Sequence, residues 1–227
     1  VPLQQLLQKR FEIKTFIFHD PNCLLMAEQA RGDALPSSCQ NALVIRLDNG
    51  VGMAILSRGR IYTGAHGHAA ELGHTVVYPG GDGCQCGKRG CLEAYASEVG
   101  VVHRYYRALG EAVPEERAQP LFEEILAKAQ GWDPLATRMF EELGSSLGVA
   151  LSNAIALLDP EVVVLYGSIL RAKGLFADAM EAVLRAHVRG YHPGLIADSK
   201  LDRNAPALGA SALALRKRLK AILFGER

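Results

Sequence analysis

The chain has 227 residues, 49% apolar and 22% charged, with 25 Lys plus Arg against 24 Asp plus Glu for a net charge of +1. That length suits one domain or one and a half, and the composition supplies a real core, which excludes disorder and a long multidomain machine. Near-zero charge gives no global electrostatic reason to seek nucleic acid or acidic lipid. Without a long apolar run or a cleavable leader pattern, the chain reads as soluble and cytoplasmic, with no membrane association. It starts at Val1 and enters a helical pattern at once, which suggests a piece of a longer polypeptide.

Leu3, Leu6 and Leu7 fall at helical spacing, and Glu12 to Phe18 then alternates as a strand does. Asp20-Pro21 suits a helix start, with Asp as a cap and Pro in the first turn. Residues 32–39 are a polar loop. Asn41–Asp48 and Val51–Arg58 are β-prone runs joined by Asn49-Gly50, a hairpin signal, and Gly59 allows a further turn, so 41–64 predicts a three-stranded meander. Residues 64–91 are rich in Gly, His and Cys and without periodicity, a long loop that needs a reason. Helices are expected over Leu92–Leu109, Ala118–Gln130 and Pro134–Leu158, the last closed by Asp159-Pro160. Glu161–Gly167 reads as a buried central strand. A helix over 174–188, a short strand near 195–197 and a helix over 207–223 complete the chain. This order is that of an α/β, ribonuclease-H-like lobe.

Five cysteines are an odd number for a disulfide framework, and Cys84, Cys86 and Cys91 lie within eight residues of one another. With His74 they make three thiolates and one imidazole, a closed tetrahedral set that suits structural zinc and leaves no open position for a catalytic water. Glycines at 80, 81, 83, 87 and 90 let the loop turn tightly enough for the ligands to converge. His66 and His68 flank the loop outside the ligand set, Cys23 and Cys39 read as small core or surface residues, and His103, His187 and His192 carry no assigned role.

The string GHAAELGH, followed by CQCGKRGCLEAYAS, resembles the signature of the ROK family of bacterial sugar-responsive repressors and sugar kinases. The resemblance implies the two-lobed actin-like ATPase fold with a sugar in the cleft. Residues 1–19 would be a remnant of an incomplete first lobe, 20–205 the second lobe with an inserted zinc loop over 64–93, and 206–227 the C-terminal closing helix. It also implies that Asp20, preceded by His19 where kinases have Asn, stands at the position of the base that deprotonates the sugar hydroxyl. Glu71, His74 and Glu93 match sugar-contacting positions. Carboxylates accept from vicinal hydroxyls, and a metal-bound imidazole can donate from its free nitrogen. From the residues alone, Asp20 reads as a helix cap and Glu93 as a first-turn helix carboxylate.

On the nucleotide side the kinase pattern is degraded. Asp48-Asn49-Gly50-Val51-Gly52 stands where kinases resemble G-T-G-x-G, so Asp48 brings negative charge toward a polyphosphate and a donor hydroxyl is lost. Tyr166-Gly167-Ser168 replaces a Gly-Gly pair, and a side chain there is expected to crowd the nucleotide shelf. Asn49, Gly50, Gly52 and Gly167 are thus a degenerate nucleotide site. The combination resembles the family's repressors: a sugar or amino-sugar effector, DNA reached only through an N-terminal domain that this chain lacks, a transport protein as a possible partner, and a homo-oligomeric assembly. The alternatives are a zinc-containing kinase that uses ATP and Mg2+ to phosphorylate a hexose or N-acetylhexosamine, and an inactive chain whose zinc loop supports dimerisation.

Overall fold

The computed structural model describes residues 2–114 and 118–224. Val1 and residues 225–227, the ends of the expected first-lobe remnant and closing helix, lie outside the described residues. The elements in chain order are α1 (Leu3–Phe11), α2 (Asp20–Arg31), β1 (Ala42–Leu47), β2 (Val51–Ser57), β3 (Arg60–Tyr62), α3 (Glu93–Ala96), α4 (Glu98–Leu109), α5 (Ala118–Gln130), α6 (Pro134–Leu158), β4 (Val162–Tyr166), α7 (Lys173–His187), β5 (Ile196–Asp198) and α8 (Ala205–Phe224). They form one mixed sheet in the order β3-β2-β1-β4-β5. The meander β1-β2-β3 is antiparallel, and β1, β4 and β5 are parallel.

Strand alternation divides the core in two. Leu43, Ile45, Leu47, Val163 and Leu165 point to one face, where they pack with Val101, Phe122, Phe140, Leu147 and Phe176 from α4 to α7. Ala42, Val44, Val162, Val164 and Tyr166 point to the other, against Leu24 and Leu25 of α2, and α8 packs on α2. The central strands are therefore buried on both sides, which is why β4 reads as an unbroken apolar run. Phe122 and Phe140 meet edge to face at 5.7 Å; truncating either to Ala would cost about 3–5 kcal/mol.

Four local expectations need correction. Residues 12–18 are not a strand: the described sheet ends at β3 and β5, so this segment finds no ladder partner for its backbone polar groups. Asp20 is the first helical residue, not the cap; His19 holds the cap position without a side-chain bond, and Asp20 turns to an arginine instead. The hairpin loop is three residues long, because Leu47 pairs with Val51 and Asp48 leaves the ladder. The expected helix over 92–109 breaks at Ser97, which adopts extended backbone and whose hydroxyl oxygen accepts from Gly100 N at 2.9 Å, capping α4. The carboxyl ends of β1 and β4 thus face the starts of α2, α3 and α4, the place where open α/β sheets hold ligands.

Candidate functional site

The loop after β3 is drawn into shape by short backbone ladders. Leu92 N donates to Thr75 O at 2.9 Å and Val77 N to Gly90 O at 2.8 Å, which sets Cys91 beside His74. Cys84 N donates to Lys88 O at 2.9 Å, folding a turn with Cys86 near its tip. The 3-10 turn Leu72–His74 lies directly on β2, and Gly73 is needed there because a Cβ would come within 2.2 Å of Val51 O. Behind the loop, Tyr95 Oη accepts from Asp82 N at 2.8 Å, Arg107 Nη2 donates to Asp82 Oδ2 at 2.7 Å, and buried Arg104 stacks over Tyr95 while pairing with Glu142 of α6. These ties fix the loop to α4 and α6.

His74 Nδ1, Cys84 Sγ, Cys86 Sγ and Cys91 Sγ all lie within 4.8 Å of one another. Cys86 and Cys91 sulfurs are 3.7 Å apart, and His74 Nδ1 is 3.7 Å from Cys84 Sγ. A tetrahedron with ~2.3 Å metal–sulfur bonds has edges of about 3.8 Å, so the donor set fits a zinc-sized ion. Burial pushes the Cys91 thiol up to about 12 and raises Cys84, whereas the Lys88 backbone N–H holds Cys86 below the ordinary thiol value. A cation captured here displaces thiol protons. Nδ1 faces the sulfurs, which leaves Nε2 on the opposite edge of the ring.

Beside this cluster is a cavity of about 350 Å³, within the size range of small-molecule sites. His19, Asp20, Glu71, His74 and Glu93, the five residues matched to sugar contacts, all line it, as do Asn49, Gly50 and Gly52. Glu93 Oε2 accepts from Val51 N at 3.0 Å, so Glu93 joins the histidine and cysteine loop to the hairpin and keeps a second oxygen available. Gly167 lies beyond the cavity wall at φ 129°, pressed so closely on β1 that a Cβ would stand 2.1 Å from Leu47 O.

Three residues that the sequence reading passed over or misplaced control this region. Arg46 shares the Ala42 and Val44 face of β1 and meets the start of α2, where its guanidinium pairs with Asp20; its Nε donates to Asp48 Oδ2 at 2.7 Å. A charged residue inside the apolar run Ala42–Leu47 was the available signal. Asp48 Oδ1 accepts from Ser168 N at 2.6 Å and from Ser168 Oγ at 2.9 Å, and the Ser168 hydroxyl also reaches Glu98. Asp48 therefore does not project toward a phosphate; it caps the turn after β4. Tyr166 does not crowd the nucleotide shelf, because strand parity sends it into the α2-side core, where its hydroxyl donates to Asp202 O at 3.0 Å. A second cavity of about 700 Å³ opens behind the cysteine loop, with Cys84, His103, Arg104 and Arg107 in its wall, and was not anticipated.

A lobe of the actin-like ATPase type, carrying a cluster of one histidine and three cysteines beside a carboxylate-lined cavity, defines a narrow class of protein. The ROK family model matches residues 1–217, and the chain belongs to the ROK family. It is 32% identical to the N-acetylglucosamine repressor of Escherichia coli O157:H7 over 98% of this chain and 55% of that protein, so it spans about half the length of the curated relatives it matches. Among solved structures it resembles the ROK hexokinase from Thermus thermophilus (TM-score 0.81, 27% identity, 95% of this chain and 71% of that one). It also resembles a ROK family transcriptional regulator described as a homolog of the E. coli MLC protein (TM-score 0.76, 30% identity, 94% and 55%). Repressors and kinases are both among its relatives.

Proposed function

We propose that this chain is the sugar-sensing effector domain of a ROK-family transcriptional regulator of carbohydrate metabolism genes, built around a structural zinc held by His74, Cys84, Cys86 and Cys91. The observation that carries this reading is the contrast at the cleft. His19, Glu71, His74 and Glu93 line an open cavity, whereas Asp48, at the head of the degenerate phosphate element, is spent within the chain as the cap of the Tyr166–Ser168 turn. With Asp48 committed there and no donor hydroxyl at Asn49, the degenerate phosphate element offers ATP less than the kinase pattern does. The name of the N-acetylglucosamine repressor relative supports a sugar or amino-sugar effector.

Zinc supplies a closed cross-link with no open coordination position. His74 Nε2 donates to a sugar hydroxyl, while Glu71, Glu93 and Asp20 accept from others. Occupancy favours one angle between this lobe and the first-lobe elements, to which residues 1–19 belong, and DNA is engaged through a segment outside this chain. Residues 20–205 act as the sensing lobe and 206–227 close it. A cytoplasmic homo-oligomer, with a transport protein as a second input, completes the proposal.

The kinase reading keeps one observation in its favour: Asp20 stands at the edge of the sugar cavity. Its carboxylate, however, is engaged by Arg46, which opposes proton abstraction. Isothermal titration of N-acetylglucosamine, glucose and xylose, beside a coupled ADP assay with Mg-ATP, separates the readings. Sugar binding without turnover is expected. Steady ADP release would establish the kinase, and silence in both assays would leave the loop a structural or dimerisation element.

A further inference from the structure

The four donors of the histidine and cysteine cluster differ in their access to water. Cys91 is buried, His74 and Cys84 are half-buried, and Cys86, near the tip of the turn that Cys84 N closes on Lys88 O, is exposed. Cys23 and Cys39 are both buried, so Cys86 is the one exposed thiol among the described residues. A sulfur that ligates a divalent cation is held as thiolate, the nucleophilic form, and its reactivity toward oxidants then follows access. Lys88 adds a cation beside the cluster, its Nζ donating to His74 O at 2.8 Å. The chain also selects the pairing partner. Cys86 Sγ is 3.7 Å from Cys91 Sγ, and the residues between them include Gly87 at φ 87° and Gly90 at φ 78°, which let the turn contract. Gln85 alone separates Cys84 from Cys86, and an S–S bond across a single residue strains the backbone. Cys91 approaches Cys86 from the buried side, so the group it displaces leaves toward water.

We propose that Cys86 is an oxidative modification site, at which a hydroperoxide converts the Cys86–Cys91 pair to a disulfide and opens the cross-link of the loop. This rests on the zinc reading of the cluster. The Cys86 thiolate attacks a peroxide oxygen and breaks the O–O bond, giving the sulfenic acid and, from hydrogen peroxide, a hydroxide. The Cys91 thiolate then attacks Cys86 Sγ, forming the S–S bond and breaking the S–O bond, with a second hydroxide leaving. The two sulfurs together give up two electrons, the peroxide accepts them, and two protons from solvent turn both hydroxides into water. Only His74 and Cys84 remain as donors, too few for the closed tetrahedral set, so the loop that carries Glu71 and Glu93 loses its cross-link.

The test treats the full chain with hydrogen peroxide beside a chromogenic zinc indicator, after elemental analysis has fixed its zinc content. Zinc release is expected to track one disulfide, mapped by mass spectrometry to Cys86 and Cys91, with Cys23 and Cys39 recovered as free thiols after denaturation. Dithiothreitol with added zinc should restore the starting state. A disulfide joining Cys84 to Cys86, or oxidation of Cys23 or Cys39 ahead of Cys86, overturns the inference and leaves the zinc reading standing; a reduced chain that holds no zinc overturns both. Cys86→Asp keeps a fourth donor without the exposed thiol, and its zinc release by peroxide is expected to slow by about tenfold or more. An unchanged rate would put the first attack elsewhere and end the proposal. Should that variant fail to retain zinc, the disulfide map of the parent chain decides alone.

Discussion

The two sides of the cleft use the same kinds of side chain to opposite ends. On the cysteine-loop side, Glu71, His74 and Glu93 are set by backbone ladders and loop anchors, so their outward atoms stay available to a ligand. On the hairpin side, Asp48, Ser168, Glu98 and Arg46 satisfy one another. Polar groups that are paired within the protein have little left to give a ligand, and those held in place by other means retain their binding capacity. The difference between an open site and a closed one therefore lies in the partners of each group.

The comparison breaks most visibly if the cysteine cluster is dismantled. Cys91→Ser is expected to abolish zinc retention, read by elemental analysis, and to bring sugar binding below detection by titration. Structural zinc sites in peptides supply about 10–16 kcal/mol, so a loss of more than about 3 kcal/mol in unfolding free energy is expected in denaturant melts. Retained sugar affinity after complete metal loss would disconnect loop from site.

The hairpin side sharpens the contrast at smaller cost. Asp48→Ala orphans Ser168 N–H and releases Arg46, lowering stability by about 1–3 kcal/mol in a urea melt. The variant should gain no measurable affinity for ATP, because Asn49 still lacks the donor hydroxyl. Tight ATP binding in Asp48→Ala would show that one carboxylate alone kept a nucleotide out.

The smallest effect lies away from the cleft and serves as a control. Glu28 is buried in α2, and its pKa is raised above the ordinary 4.5, chiefly by burial. A carboxyl raised in the folded state favours folding fully below its unfolded value, and that contribution is lost as pH rises from about 4.5 through the raised folded value. Glu28→Gln stays neutral, so its melting temperature should exceed that of the parent near pH 7 by a small margin, the gap closing toward pH 4, with sugar binding unchanged. A gap independent of pH would show that Glu28 does not titrate in this range.

Much of this was legible in the sequence because it rests on local rules. The β-prone runs on either side of Asn49-Gly50 gave the meander, the unbroken run at Val162–Tyr166 gave the central strand, and the Cys spacing gave the cluster. What the sequence left hidden depends on partners far along the chain. Asp48 reads as a charge thrust at phosphate until Ser168, 120 residues away, is seen to donate to it. Arg46 gave no cue beyond its oddness in an apolar strand, since Asp20 comes from a different element. The strand expected at 12–18 failed for the complementary reason: alternation describes a face but cannot supply a neighbour.

The three-residue tip at Asp48–Gly50 has a final consequence for how this protein can be altered. Asp48 O accepts from Glu98 N at 3.0 Å, its carboxylate holds Ser168, and Glu93 seizes Val51 just beyond. The tip acts as a keystone on which two helix starts and a strand exit lean, so an inserted residue or grafted epitope there would unseat distant parts together. Exposed hairpin ends elsewhere tolerate such surgery; here a loop of three residues resists it.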